Sequence, residues 1–311
     1  MRALPGYSAP SWRPDRAENT AAGGALEGAV VLAITGANGH IGRALLARLA
    51  AAPRPRSIPE PVLKSAPVSV STSMPVPVRA LVRSSAAAQT LAQSLRPADT
   101  EIRCTDYTDL EQMADALAGC SAVIHLVGIL RETPGNRYVD AHERAVSTLV
   151  AAAQRAGVRH IVALSILGAD EQSPNACLRS RGRADQLLRS APLAGTVLEV
   201  PMVLGGDDHA SRALAARARR ALSFTFRAES LEQPIDIEDV VSALLAWRRA
   251  VAAASQAASS VRAEAEAEAG AEAGAKAGTH TGMPSRLQLA GPVSLTRRAL
   301  VQAAAARVGK R

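Results

Sequence analysis

Val30-Val31-Leu32-Ala33-Ile34-Thr35-Gly36-Ala37-Asn38-Gly39-His40-Ile41-Gly42 leads without a break into Arg43-Ala44-Leu45-Leu46-Ala47-Arg48-Leu49. A continuous run of apolar strand formers feeds a glycine-rich turn, and the turn opens onto an Ala/Leu/Arg segment with helical character. The pattern predicts a strand over 29–35 and a helix over about 40–51. Glycines at such a junction let the main chain approach a ligand with no Cβ in the way, and the free N–H groups at the helix start face negative charge. Thr35, Gly36, Asn38, Gly39, His40, Ile41 and Gly42 are therefore a candidate cradle for the diphosphate of a dinucleotide. The glycines fall as G-x-x-G-x-x-G, not as the commoner G-x-G-x-x-G. A tight strand-to-helix turn without a ligand is the competing reading in a chain rich in alanine and glycine; the strand before it and the helix after it weigh for the cradle.

The composition agrees with an α/β protein. The 311 residues suffice for one large domain, or for one domain with a small lobe. Hydrophobic residues make up 48% but aromatic ones only 2%, so Ala, Val, Leu and Ile must build the core, which suits a parallel sheet covered by helices. The net charge of +8 comes from 36 Lys and Arg against 28 Asp and Glu. The arginines are spread along helical segments with almost no aromatics to stack on bases, which argues against a nucleic-acid partner and for a general attraction of anions, phosphorylated cofactors included. Cys104, Cys120 and Cys177 form no C-x-x-C and no metal-ligand cluster, so no metal is expected and a reducing cytoplasm is the default. No apolar run reaches the length of a membrane span, and the Pro-containing start lacks the apolar block of a signal peptide.

Taken in order, residues 1–28 read as a disordered tail. The segment 53–77 carries Pro53, Pro55, Pro59, Pro61, Pro67, Pro75 and Pro77 and reads as a solvent-exposed insertion, since it suits neither a helix interior nor a central strand. Val78 to Ser84 is a second strand ending in a cation. An acidic residue at the end of strand two suits a free ribose 2′-hydroxyl, whereas arginine suits a 2′-phosphate. Without the insertion, the distance from the last glycine returns to the usual ~20 residues. Arg83, supported by Ser84 or Arg79, thus favours NADP(H), with NAD(H) as the alternative. A helix over 86–96, a strand over 101–104 and a turn through Asp106 that caps a helix over 110–117 follow. Asp106 either caps that helix or accepts from an adenine amine. A buried strand runs from Ala122 to Gly128, whose missing side chain lets the backbone pass close to a cofactor, with His125 as a packed core histidine. A long helix from Tyr138 to Ala156, closed by Gly157, precedes a strand from Arg159 to Ser165. This alternation predicts a Rossmann-type, doubly wound parallel sheet with a small C-terminal lobe, its ligand site beyond the strand ends at Gly36, Arg83, Asp106, Gly128 and Ser165.

The glycine motif, the Asp106 turn, Val123-Ile124-His125-Leu126-Val127-Gly128 and Ala163-Leu164-Ser165-Ile166-Leu167-Gly168-Ala169-Asp170 together resemble the atypical and extended short-chain dehydrogenase/reductases. The likeness is strongest to the branch that contains the 39 kDa NADPH-binding accessory subunit of respiratory complex I and its bacterial relatives. Segments from Ser173 to Leu188, Val197 to Pro201 with Gly205, Gln233 to Val240 and Leu287 to Val308 resemble that branch as well. The resemblance implies an NAD(P)-binding domain over 29–204, a substrate or partner lobe over 205–311, and a protein partner such as a membrane-associated respiratory complex. A cytoplasmic location with peripheral membrane attachment goes with it.

Reductases and epimerases of this superfamily use a tyrosine as general acid/base, a lysine four residues later that lowers its pKa and holds the nicotinamide ribose, and an upstream serine. Ser165 fits the serine. The frame starting at Ser173-Pro174 puts Cys177 at the tyrosine and Arg181 at the lysine. A thiol is a weaker hydrogen-bonding group than a phenol, and a permanently charged guanidinium replaces an ammonium poorly. Arg181 is left with the ribose or a phosphate to hold, and Cys177 reads as an inert thiol or, beside Arg181, an activated thiolate. Tyr138 is a packing tyrosine or a substitute acid. Weak or absent turnover is the expectation, an active reductase, epimerase or dehydratase the alternative, and a dinucleotide-sensing regulator the second.

In the C-terminal part, 211–222 reads as a helix with a basic face of Arg212, Arg217, Arg219 and Arg220, solvated or set against an anionic surface. Asp236 to Arg249 reads as a helix with acidic residues at its start. The Ala/Glu/Gly stretch 252–282 reads as a linker-like excursion, and the chain re-enters the fold at Arg286-Leu287-Gln288-Leu289.

Overall fold

The computed structural model describes residues 31–51, 77–94, 100–205, 208–220, 225, 227–268 and 283–307, without the side chains of 261–268. The expected tail, all of the Pro-rich segment but Pro77, and 269–282 lie outside the described residues.

The predicted alternation of strand and helix is present. Strands β1 (Leu32–Thr35), β2 (Val78–Val82), β3 (Thr100–Cys104), β4 (Ala122–His125), β5 (His160–Ile166) and β6 (Ala194–Val200) are joined by helices α1 (His40–Ala50), α2 (Ser85–Ser94), α3 (Leu110–Leu117), α4 (Ala145–Ala156) and α5 (Ala176–Arg189). They pair in parallel in the order β3-β2-β1-β4-β5-β6, and β10 (Arg286–Gln288) adds a seventh parallel strand beyond β6. This is the doubly wound order, whose direction reverses between β1 and β4 and opens a crevice there.

Period-two alternation sends successive strand residues to opposite layers. Leu32, Ile34 and Ile124 pack with Leu45 and Leu46 of α1 and with Val240, Leu244 and Trp247 of α7 (Ile237–Glu268). Ala33, Val123 and Ile161 pack with Met113, Leu117, Leu149 and Leu188 of α3, α4 and α5. Aliphatic side chains fill both layers, as the scarcity of aromatics requires. Gly157 closes α4 in the left-handed region at φ 73°.

Three boundaries differ from expectation. The long helix predicted from Tyr138 begins with a π-helical turn, Val139–Arg144, before α4 takes over. Helix α7 does not end near Arg249 but continues to Glu268, into the segment read as an excursion. Ala and Glu are strong helix formers, so this part extends the helix although residues 256–260 are exposed. The expected C-terminal lobe also returns to the main sheet: β10 pairs with β6 through Arg286↔Val197 and Gln288↔Glu199. The smaller elements β7 (Val203–Leu204), α6 (His209–Ala218), β8 (Leu231–Glu232), β9 (Ile235–Asp236), β11 (Leu295–Thr296) and α8 (Arg297–Arg307) gather beyond the strand ends, with β7 paired to β9 and β8 to β11.

Candidate functional site

The glycine turn leaves β1 at Gly36, whose φ of 69° lies in the left-handed region. A Cβ there would sit 3.1 Å from the Leu126 backbone, and one on Gly42 would sit 2.6 Å from the Ala37 carbonyl oxygen and 2.7 Å from that of Gly36. Only glycine keeps α1 this close to the turn. Gly39 occupies the N-cap of α1 without a side-chain cap, and no acidic residue lies in the first turn. The helix start thus carries neither a side-chain cap nor an acidic residue of its own, although the Asp208 carboxylate lies 4.0 Å from His40 Nε2, and the cradle fits the diphosphate of a dinucleotide.

Tyr107, in the turn after β3, holds this cradle in place. Its hydroxyl accepts from Gly36 N at 2.9 Å and donates to Leu81 O at 2.7 Å, and Leu81 O also accepts from Ala37 N at 3.2 Å. Burial is the main reason its phenol is pushed up to about 12, so it stays protonated at every ordinary pH. Tyr107→Phe removes both bonds and is expected to lower stability by about 1–2 kcal/mol in urea unfolding, with a weakened affinity for nucleotide.

Arg83 directly follows β2 and is exposed; its Nη1 donates to Asn136 Oδ1 at 3.1 Å. The two expected supports for Arg83 are committed elsewhere. Arg79 pairs with Glu101 at 2.7 Å and donates to the carbonyls of Ala116 and Ala118, tying β2 to β3 and α3. Ser84 accepts from Ala87 N at 3.2 Å at the start of α2. Asp106 caps its own turn, taking both the amide and the hydroxyl of Thr108 at 2.8 Å, and the cap of α3 is Asp109, which accepts from Gln112 N at 3.0 Å.

Beneath the crevice lies a row of buried polar groups. His125, fully buried as expected of a core histidine, shares a 2.8 Å hydrogen bond with Thr35 Oγ1. The π-helical turn delivers His142, whose Nε2 lies 3.1 Å from both the nitrogen and the oxygen of Ile129, and Tyr138 stacks on His142 with centroids 5.6 Å apart. Burial, with the Arg181 charge next in weight, holds the imidazole of His125 down to about 3 and that of His142 to about 4. The unfolded chain, with histidines near 6.5, binds more protons than the native one between pH 6.5 and about 4, so stability rises with pH in this window and is lost on acidification. Each such proton is worth about 1.4 kcal/mol per pH unit. Urea midpoints should therefore fall from pH 6.5 to 4, and fall less in His142→Gln. Asp185, whose carboxyl is pushed up by burial, opposes part of this loss at the acid end.

The three positions aligned with the catalytic serine, tyrosine and lysine come together, but they are turned to other uses. Ser165 donates its hydroxyl to Asp185. Arg181, only 2% exposed, sends Nη1 to Val127 O at 3.0 Å and Nε to Ser165 Oγ at 3.3 Å, and its Nε lies 3.6 Å from Asp185 Oδ1. The guanidinium expected to hold a ribose or phosphate thus faces inward, drawn there by a buried carboxylate one helical turn on. Cys177 lies 3.5 Å from Ile129 O, and burial pushes its thiol up, against the activated-thiolate alternative. Tyr138 donates its hydroxyl to Leu130 O at 3.0 Å. Gly128 is where expected, after β4, and a Cβ there would lie 3.3 Å from Arg181 Nη1.

The row continues to β10. Glu199, 3% exposed on β6 beside Ser165, is held by Arg286 at 2.6 and 3.0 Å and by Gln288 at 2.8 Å. Sequence reasoning missed Asp185, although its i+4 spacing from Arg181 is a visible signal. Glu199 had none, since its partners lie nearly ninety residues away.

A family model described as NAD(P)H-binding matches residues 70–223. The chain is similar to NADH dehydrogenase [ubiquinone] 1 alpha subcomplex subunit 9, mitochondrial, of Arabidopsis thaliana, 24% identical over 144 residues. That alignment covers 45% of this chain and 36% of the relative, about a third of its length. Among solved structures, UDP-N-acetylglucosamine 4-epimerase from Bacillus cereus superposes with a TM-score of 0.57 at 14% identity, covering 91% of this chain and 83% of the epimerase. The NADPH-dependent quinone oxidoreductase QOR2 of Escherichia coli, complexed with NADPH, gives 0.57 at 20% identity over 90% and 76%. These two share the fold. No helix among the described residues is long and apolar enough to cross a membrane. The strand order and the NAD(P)H-binding match over 70–223 agree: the chain carries a Rossmann-type NAD(P)H-binding domain.

Proposed function

We propose that the protein binds NADP(H) in preference to NAD(H) and turns it over weakly or not at all, the bound nucleotide acting within a respiratory or quinone-related assembly at a membrane surface. The observation that carries the reading is the inward-facing Arg181, bonded to Val127, Ser165 and Asp185 where the family places a ribose-holding lysine. Thr35, Gly36, Asn38, Gly39, His40, Ile41 and Gly42 would receive the diphosphate, Arg83 the 2′-phosphate, and Asp106 and Gly128 would border the adenine and the nicotinamide half. When bound, the nucleotide supplies hydride-transfer capacity; the residues of this chain supply no matching acid at the positions the family uses. Arg83, a cation just past β2, supports NADP(H), and the similarity to a subunit named for the ubiquinone-linked NADH dehydrogenase supports the assembly.

The test is NADPH consumption against a panel of small carbonyl compounds, sugar nucleotides and quinones. The expected result is no consumption above the protein-free rate. Consumption that disappears in Ser165→Ala would instead support the active reductase.

A further inference from the structure

The segment between β4 and the π-helical turn is built as a bridge. At its base His142 and Cys177 meet the Ile129 backbone, and Tyr138 donates to Leu130 O. Its tip is a turn in which Thr133 and Asn136 exchange backbone hydrogen bonds of 3.2 and 3.0 Å, with Pro134 and Gly135, at φ 80°, between them. From that tip Asn136 Oδ1 accepts from Arg83 Nη1 at 3.1 Å.

Strand β1 lies between β4 and β2 in the sheet. Adjacent strands are about 4.8 Å apart, so a segment that leaves β4 and touches the residue after β2 spans ~10 Å across the carboxyl end of β1. The glycine turn starts at that end, and a dinucleotide in the crevice follows the same line.

We propose that residues 129–137 are a strap over the bound dinucleotide, and that Asn136 joins Arg83 in holding its adenosine end. The strap rests on the reading of the glycine turn as an NAD(P)(H) cradle, and its phosphate contact on the NADP(H) preference. Asn carries an acceptor oxygen and two N–H donors, and the guanidinium carries only donors. Together they suit a ribose whose 2′ position bears a phosphate, which accepts from both, or a hydroxyl, which donates to the Asn oxygen. The phosphate gains more from Arg83 because that hydrogen bond joins opposite charges. Tyr138 and Cys177, at positions that invite a catalytic reading, are positioning residues for the base of the strap.

The experiment is stopped-flow displacement of NADPH and of NADH from the full chain, its Asn136→Ala variant and its Arg83→Ala variant. Asn136→Ala leaves the backbone bonds of the tip in place, so the fold is retained. It is expected to raise the dissociation rate of both nucleotides by about five- to tenfold, the size of one hydrogen bond to a polar or charged group, with association rates little changed. Arg83→Ala should weaken NADPH more than NADH. Unchanged dissociation of both nucleotides from Asn136→Ala, with the parent chain binding normally, would overturn the strap alone. A parent chain that prefers NADH would overturn the NADP(H) reading and leave the strap to be judged on NADH dissociation; a parent chain that binds neither would overturn both.

Discussion

Gly42→Ala is expected to weaken NADPH binding by about a hundredfold in a chain that still folds. The added Cβ would stand 2.6 Å from the Ala37 carbonyl oxygen, 2.7 Å from that of Gly36 and 2.8 Å from the Ala37 carbonyl carbon, all of them backbone. No side chain can swing away to make room, so either α1 retreats or the turn is pushed outward. The turn has little slack, because Gly36 already lies 3.1 Å, measured from its own hypothetical Cβ, from the Leu126 backbone and is tied to Tyr107. Over-packing of this kind costs about 1–3 kcal/mol of stability. The larger effect falls on the ligand, since a displacement near 1 Å in a preorganised site costs roughly a hundredfold. Nucleotide titration together with urea unfolding of the same variant checks both, and an affinity equal to that of the parent chain would remove the turn from the binding site.

Arg181→Ala is expected to destabilise the protein by about 3–5 kcal/mol, because it leaves the Asp185 carboxylate buried without its partner. Both members are nearly inaccessible, Arg181 at 2% and Asp185 at 5% exposure, so solvent screening offers little relief. Replacing both by apolar residues, Arg181→Met with Asp185→Leu, should recover most of the loss, since well-packed apolar pairs substitute for buried ion pairs at little net cost. Urea unfolding of the two single variants and the double variant forms the cycle that measures this coupling. A ribose-holding arginine behaves differently: its loss would weaken nucleotide binding and leave unfolding unchanged.

The doubly wound parallel sheet was legible in the sequence because its alternation of strand and helix rests on local patterns. Strands β1, β2 and β4 are short apolar runs that end at or a few residues before a glycine or a cation, and the helices between them carry apolar residues at helical spacing. The extension of α7 past Arg249 was not legible, because an Ala/Glu repeat without an apolar face reads equally as helix or as excursion until its attachment to a packed helix is known. β10 could be recognised as a return to the fold but not as the seventh strand of the main sheet, since its register depends on Glu199 far away in the chain.

Within the site, the residues carried by a motif stand at the carboxyl ends of the strands, where the pattern put them. The residues that hold them there come from long-range contacts. Tyr107 meets Gly36 across 71 positions, and Asn136 meets Arg83 across 53. Nothing in the spacing of a single sequence announces either pair. Arg181 shows the reverse case: its alignment with a lysine position suggested a ligand contact, and the carboxylate at the next helical turn redirected it into the protein.

Binding of NADP(H) without turnover is decided by equilibrium titration of the purified chain with NADPH and with NADH, followed by nicotinamide fluorescence and by prolonged incubation at saturation. Saturable binding of NADPH is expected, tighter than that of NADH, with the bound nucleotide remaining reduced. Failure to bind either nucleotide at submillimolar concentration, or steady oxidation of bound NADPH, would contradict this expectation.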